Sequence, residues 1–145
     1  MLKIAIGSDH RGFILKNYLV DYLKTQGYEV IDFGTYSSES VDYPDYATLV
    51  AKAVANQQAD YGIAICGSGI GVSIAANRVK GVRAVNATNE KVSEMSRRHN
   101  NANVICFGGD YIEPDTAVKY LEIFFNTPFD GGERHQRRIQ KIDII

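Results

Sequence analysis

The sequence is poor in cysteine, has no excess of either charge and no long apolar run, and each shortage closes off a class of protein. Two cysteines, Cys66 and Cys106, lie far apart in a chain with no secretory signal, which argues against a disulfide scaffold and for a reducing compartment. Sixteen Lys plus Arg against seventeen Asp plus Glu leave a formal charge of -1, so no global field gathers nucleic acid or an anionic membrane. An anionic ligand must be met by local groups. The apolar runs are only a handful of residues long, and Met1-Leu2-Lys3 leads straight into a strand-like segment, so neither a signal peptide nor a membrane span is expected. A soluble cytoplasmic protein is the expectation. Repeats, low-complexity tracts and Pro/Gly-rich linkers are also lacking, and 145 residues, 45% of them hydrophobic, suffice for one core, so residues 1–145 are expected to form a single domain.

What is present is an alternation. Residues 2–6, 29–33, 61–65, 83–85 and 103–107 are short segments rich in β-branched and apolar residues and read as five strands. Between them run helical stripes: Leu15, Leu19 and Leu23; Ala47, Val50, Ala51 and Val54; Val92, Met95 and His99; Ala117, Leu121, Phe124 and Phe125. Strands alternating with helices of this length imply right-handed βαβ crossovers. The expected fold is therefore α/β: a doubly wound, Rossmann-like five-stranded parallel sheet with helices on both faces. Ligands of such sheets sit beyond the carboxyl ends of the strands, which directs attention to the loops after strands one, three, four and five.

The third of these strands runs into Cys66-Gly67-Ser68-Gly69-Ile70-Gly71, then into Ile74-Ala75-Ala76, which reads as the start of a buried helix. Alternate glycines permit close backbone approach, so successive N–H groups can converge on an anion or a developing oxyanion; the alternative is a plain tight turn. The loop fits neither the GxxxxGK[ST] nor the GxGxxG pattern, and no nucleotide cofactor is expected. Cys66, at a strand end beside a helix start, is a candidate base or nucleophile, whereas Cys106, inside an apolar run, reads as a small buried hydrophobe. After strand one, Gly7-Ser8-Asp9-His10-Arg11-Gly12 sets an acid, an imidazole and a guanidinium together, either as a site or as a helix cap. His99, before Asn100-Asn101, stands at a helix end, where a cation is favoured for structural reasons as well. Gly131-Gly132-Glu133-Arg134-His135-Gln136-Arg137-Arg138 is the densest basic cluster, suited to phosphate or merely a solvated helix face. The three histidines show no metal-ligand spacing, and no metal is expected.

Taken together, Gly7-Ser8-Asp9-His10, Asp42-Tyr43-Pro44, the Ile65 to Gly71 loop, Arg97-Arg98-His99-Asn100 and Gly131 to His135 resemble the sugar-phosphate isomerase family that contains ribose-5-phosphate isomerase B and the galactose-6-phosphate isomerase subunits. The likeness spans nearly the whole chain. It implies a metal-free, cofactor-free interconversion of ribose 5-phosphate and ribulose 5-phosphate through an enediolate. By the same resemblance Cys66 is the general base and His99 assists ring opening. Asp9 and Ser68 handle sugar hydroxyls, the Gly67, Gly69, Ile70 and Gly71 donors hold the enediolate oxygen, Tyr43 and Asn100 line the pocket, and His10, Arg134 and Arg138 bind phosphate. It also implies a homodimer, alone or paired with another, whose sites take residues from two subunits.

Two departures stand out. The family commonly carries Arg where this chain has Asp110, and Glu133 is an extra residue before Arg134. A carboxylate near a dianionic phosphate is repulsive unless it points away or is itself paired, with Arg137 as one compensating cation. The alternative substrates are therefore another aldose or hexose phosphate. A different class of reading is a non-catalytic phosphate- or nucleotide-binding module on the same fold.

Overall fold

The computed structural model describes residues 1–145. Its strands, β1 (Lys3–Ser8), β2 (Glu29–Asp32), β3 (Tyr61–Cys66), β4 (Ala84–Asn86) and β5 (Val104–Gly108), are all parallel and lie in the order β2-β1-β3-β5-β4. All five expected strands form, with ends shifted by a residue or two. The intervening helices are α1 (Phe13–Thr25), α2 (Tyr43–Ala55), α3 (Ile70–Ala76), α4 (Glu90–Arg98) and α5 (Pro114–Asn126), followed by α6 (Glu133–Asp143).

Alternation along the buried strands sorts side chains between two layers. Ile4, Ile6, Ile63, Ile65, Ile105 and Phe107 pack with α1 and α5, whereas Ala5, Ala64, Cys66, Val104 and Cys106 pack with α2 and α3. The small residues on the second face let α2 lie close: a Cβ at Gly62 would come within 2.6 Å of Val50 Cγ1. Full burial of a side chain such as Leu19 or Phe124 stabilises the fold by about 2 kcal/mol.

Two helices differ from expectation. The packed face of α4 is not Val92, Met95 and His99 but Ser93, Ser96 and Arg97. Ser93 Oγ donates to the Tyr120 carbonyl at 2.7 Å, and Arg97 donates to the carbonyls of Thr127 and Ala102 at 3.2 and 2.6 Å and lies over the Tyr61 ring. Polar side chains are buried there because each finds a hydrogen-bond partner. The apolar segment Ile74-Ala75-Ala76 ends α3 rather than starting it, and Ile74 faces outward.

On α1, Lys16 is wholly buried, and its Nζ reaches Asp32 Oδ2 at 2.8 Å while Asp32 Oδ1 accepts the Gly34 N–H at 2.9 Å. The paired charge ties α1 to the start of the loop that leads to Tyr43. Because α1 carries β1 to β2 on one face and α3 carries β3 toward β4 on the other, the connections part between β1 and β3. That topological switch point sets the crevice at the ends of β1 and β3.

Candidate active site

A cleft of about 520 Å³ opens at that switch point, bringing together Asp9 and Arg11 after β1, Tyr43 at the start of α2, Cys66 to Gly71 after β3, and Asp110 and Tyr111 after β5. Register explains the meeting of Asp9 and Cys66: Ser8 pairs with Ile65, and the Asp9 N–H donates to the Ile65 carbonyl at 3.1 Å.

Cys66 ends β3, nearly buried, with its sulfur accepting the Gly69 N–H at 3.2 Å. Gly69 holds φ at +80°, and a Cβ there would lie 2.3 Å from Asn86 Oδ1, so only glycine turns this donor back onto the sulfur. The Ile70 N–H goes to Ser68 Oγ at 3.1 Å. The Gly69 and Ile70 N–H groups, two of the donors expected for an enediolate oxygen, thus have acceptors within the loop. The N–H groups of Gly71 and Val72, in the first turn of α3, have no acceptor in the chain. Cys106, by contrast, is fully buried, and desolvation pushes its thiol far above the ordinary range, with the neighbouring Cys66 adding to the effect. One thiol opens on the cleft and the other is core.

Asp9 lines the cleft and braces the turn before α1, whose N-cap is Gly12 rather than Ser8 or Asp9. Its Oδ1 accepts the N–H groups of Arg11 at 2.9 Å and Gly12 at 3.1 Å, which leaves Oδ2 to the cleft it lines. His10 Nδ1 accepts the Val41 N–H at 3.2 Å, so this imidazole carries its proton on Nε2 when neutral. Tyr43 stands over Gly71, where a Cβ would come within 2.5 Å of the phenol ring. Asp110 is paired: Arg11 Nη2 meets its Oδ2, and this partner, not Arg137, answers the carboxylate.

His99, Asn100, Arg134 and Arg138 do not reach this cleft within one chain. Cys66 pairs with Gly108, the last residue of β5, whereas His99 caps α4 before β5 begins at Val104. At about 3.3 Å per residue, the strand alone separates the two ends by roughly 13 Å. At the far end the His99 and His135 rings stack at 4.3 Å with planes 9° apart, and His99 Nε2 lies 3.9 Å from Asp130 Oδ2. Desolvation first, then His99, holds the His135 imidazole below its usual pKa. These three side chains are potential metal ligands that spacing did not reveal, but parallel rings direct their lone pairs side by side rather than to one point. Asn100 lines a separate cavity of about 530 Å³ with Arg83 and Ile142. Arg134, Arg137 and Arg138 are exposed on α6, while the chain's arginine ion pairs use Arg11, Arg83 and Arg98.

The sequence reading did not assign Arg11, Asp130 or His135 a role. The available signal was that Arg11 and His135 lie inside the motifs around Asp9 and Arg134, with Asp130 just before the second.

A doubly wound sheet with a thiol, a carboxylate and a free backbone donor at its switch point has the form of a small-molecule site. More particularly, the chain belongs to the ribose/galactose isomerase family, whose model matches residues 4–142. It is 47% identical to ribose-5-phosphate isomerase B of Escherichia coli strain K12 over 145 residues, covering 100% of this chain and 97% of that one. Its structure is similar to that of a ribose 5-phosphate isomerase from Thermotoga maritima, with a TM-score of 0.96, 49% identity and 99% of both chains covered. It is also similar to ribose-5-phosphate isomerase B of Mycoplasma genitalium with bound ribulose-5-phosphate, with a TM-score of 0.92, 44% identity, and 98% of this chain and 94% of that one covered. No helix is long and apolar enough to cross a membrane.

Proposed function

We propose that this protein interconverts ribose 5-phosphate and ribulose 5-phosphate through an enediolate, with Cys66 as the base that moves the proton between C2 and C1. The observation that carries this reading is the Cys66 sulfur, set in the cleft at the end of β3 with the Gly69 N–H directed at it and Asp9 on the adjacent strand end. The names of the relatives and the ribulose-5-phosphate bound to one of them support the choice of sugar. The step is a proton transfer and needs no electron acceptor. Asp9 and Ser68 take sugar hydroxyls, Tyr43 bounds the ring, and the free N–H of Gly71, on the cleft wall, meets the charge that develops on the enediolate oxygen.

The remaining groups come from a second copy. Ring opening by His99, and phosphate binding by Arg134 and Arg138, require residues that one chain holds at the opposite end of its sheet from Cys66. A homodimer that lays the α4–α6 end of one subunit over the cleft of the other completes two equivalent sites. Ile70 and Ile74, one turn apart beside the cleft and 58% and 59% exposed, supply apolar surface for that contact. Asn100 joins the shared pocket in the same way, and His10 serves phosphate from the cleft side.

In deuterated solvent, Cys66→Ala is expected to slow exchange of the substrate C2 proton by roughly 1,000-fold. Exchange at the parent rate would refute the base assignment. Tight sugar-phosphate binding by the parent without turnover would point instead to a binding module. Since Asp110 belongs to the cleft, a hexose phosphate is the second reading, and ranking aldose phosphates by kcat/KM decides between them.

A further inference from the structure

The cleft around Cys66 is lined by two carboxylates, Asp9 and Asp110, and by a single basic side chain, Arg11. A sugar phosphate entering it brings a dianion into a place where the chain's own carboxylates already repel it. The α6 arginines cannot relieve this within the chain, because they lie at the far end of the sheet. We infer that Arg11 is a further phosphate ligand, beside His10, that each chain supplies to its own cleft, an inference that rests on the sugar-phosphate reading above.

Four observations carry it. The guanidinium lies directly on the catalytic loop: a Cβ on Gly67, the residue after Cys66, would be 2.9 Å from Arg11 Nε and 2.8 Å from Asp110 Oδ2. It is fixed at its root, since the Arg11 N–H is bound by Asp9 Oδ1 at 2.9 Å. It is fixed at its tip as well, because Asp110, which accepts Nη2, is itself tied down by its own N–H donating to the Gly67 carbonyl at 3.0 Å. Finally, the Arg11 side chain remains 60% exposed in spite of both anchors. A guanidinium has five N–H donors in a planar fork, so one edge held by a carboxylate leaves the others for phosphate oxygens. A side chain with only a structural role in the Asp110 pair would have no need to stand open on the mouth of the cleft.

The test compares the parent with Arg11→Met, which keeps the aliphatic stem and removes the charge, and with Arg11→Lys. Loss of a hydrogen-bonded charge contact predicts that the ratio of kcat/KM for ribose 5-phosphate over free ribose falls about 10- to 100-fold in Arg11→Met, through KM. Arg11→Lys should recover part of the loss. An equal loss on both sugars, or no change in KM for the phosphate ester, would overturn the assignment. Calorimetric titration with inorganic phosphate judges Arg11 even if no sugar phosphate is isomerised. Weaker phosphate binding in Arg11→Met upholds the inference, and equal binding to parent and variant, both checked for the same melting temperature, refutes it.

Discussion

The two ends of the sheet carry different chemistry on different supports. Where the strands finish, a thiol, a carboxylate and backbone donors are set by strand register and close backbone contact, nearly out of reach of solvent. Where α4 finishes and α6 begins, imidazoles and arginines stand on helix ends and are half-buried or exposed. The first end is anchored in the sheet, while the second presents charge outward. A single chain keeps the two ends a strand's length apart. The function proposed above needs both, and in that proposal joining them is the task of assembly rather than of folding.

The sharpest way to break this contrast is subunit complementation. Cys66→Ala and His99→Asn chains, each nearly inactive alone, should regain roughly a quarter of parental activity when mixed and allowed to exchange, since half the dimers then hold one intact site of two. No recovery would mean that each chain completes its own site. Next in size is the difference between the two thiols. One equivalent of a thiol reagent should be taken up, and Cys66→Ser should abolish the uptake, because burial holds Cys106 protonated inside β5. Labelling of Cys106 at a similar rate would erase the distinction between cleft and core.

A more moderate effect tests the support of the outward end. Arg97→Ala leaves the carbonyls of Thr127 and Ala102 without their buried donor and should lower unfolding stability by about 3 kcal/mol in urea titration. An unchanged midpoint would show that α4 does not depend on this anchor. The smallest effect is the titration of His135. Its depressed pKa means that the unfolded chain binds the proton more readily, so this group's contribution is whole above the unfolded value near 6.5 and is lost as the pH falls toward the folded value. By NMR, His135 should titrate below that value, and His99→Gln should raise it.

Much of the fold was legible in the sequence. Strands such as Tyr61–Cys66 are continuous apolar runs buried on both faces, and the stripes on α1, α2 and α5 point to the layers that cover them. Helix α4 differs at its packed face because Ser93 and Arg97 are buried through hydrogen bonds to carbonyls of α5 and the adjoining loops, and Ser96 through one to the Ser93 carbonyl, which hydropathy does not register. In the cleft, Asp9 and Cys66 were legible as neighbours because one directly follows β1 and the other ends β3, and the switch point brings those strand ends together. The Arg11–Asp110 pair and the His99–His135 stack were not, since each joins segments whose approach depends on three-dimensional packing.

By itself, then, the sequence determined the α/β alternation, the thiol and the acid at the mouth of the sheet, and the family, because these rest on local periodicity and on motifs a few residues long. Tertiary structure alone decided that Asp110 has a cation of its own, that Gly69 and Ile70 donate within their loop, and that His99 lies at the opposite end of the sheet from Cys66. Side-chain pairing and sheet geometry are relations between distant segments, fixed only when the parallel register and the helix layers place them in space.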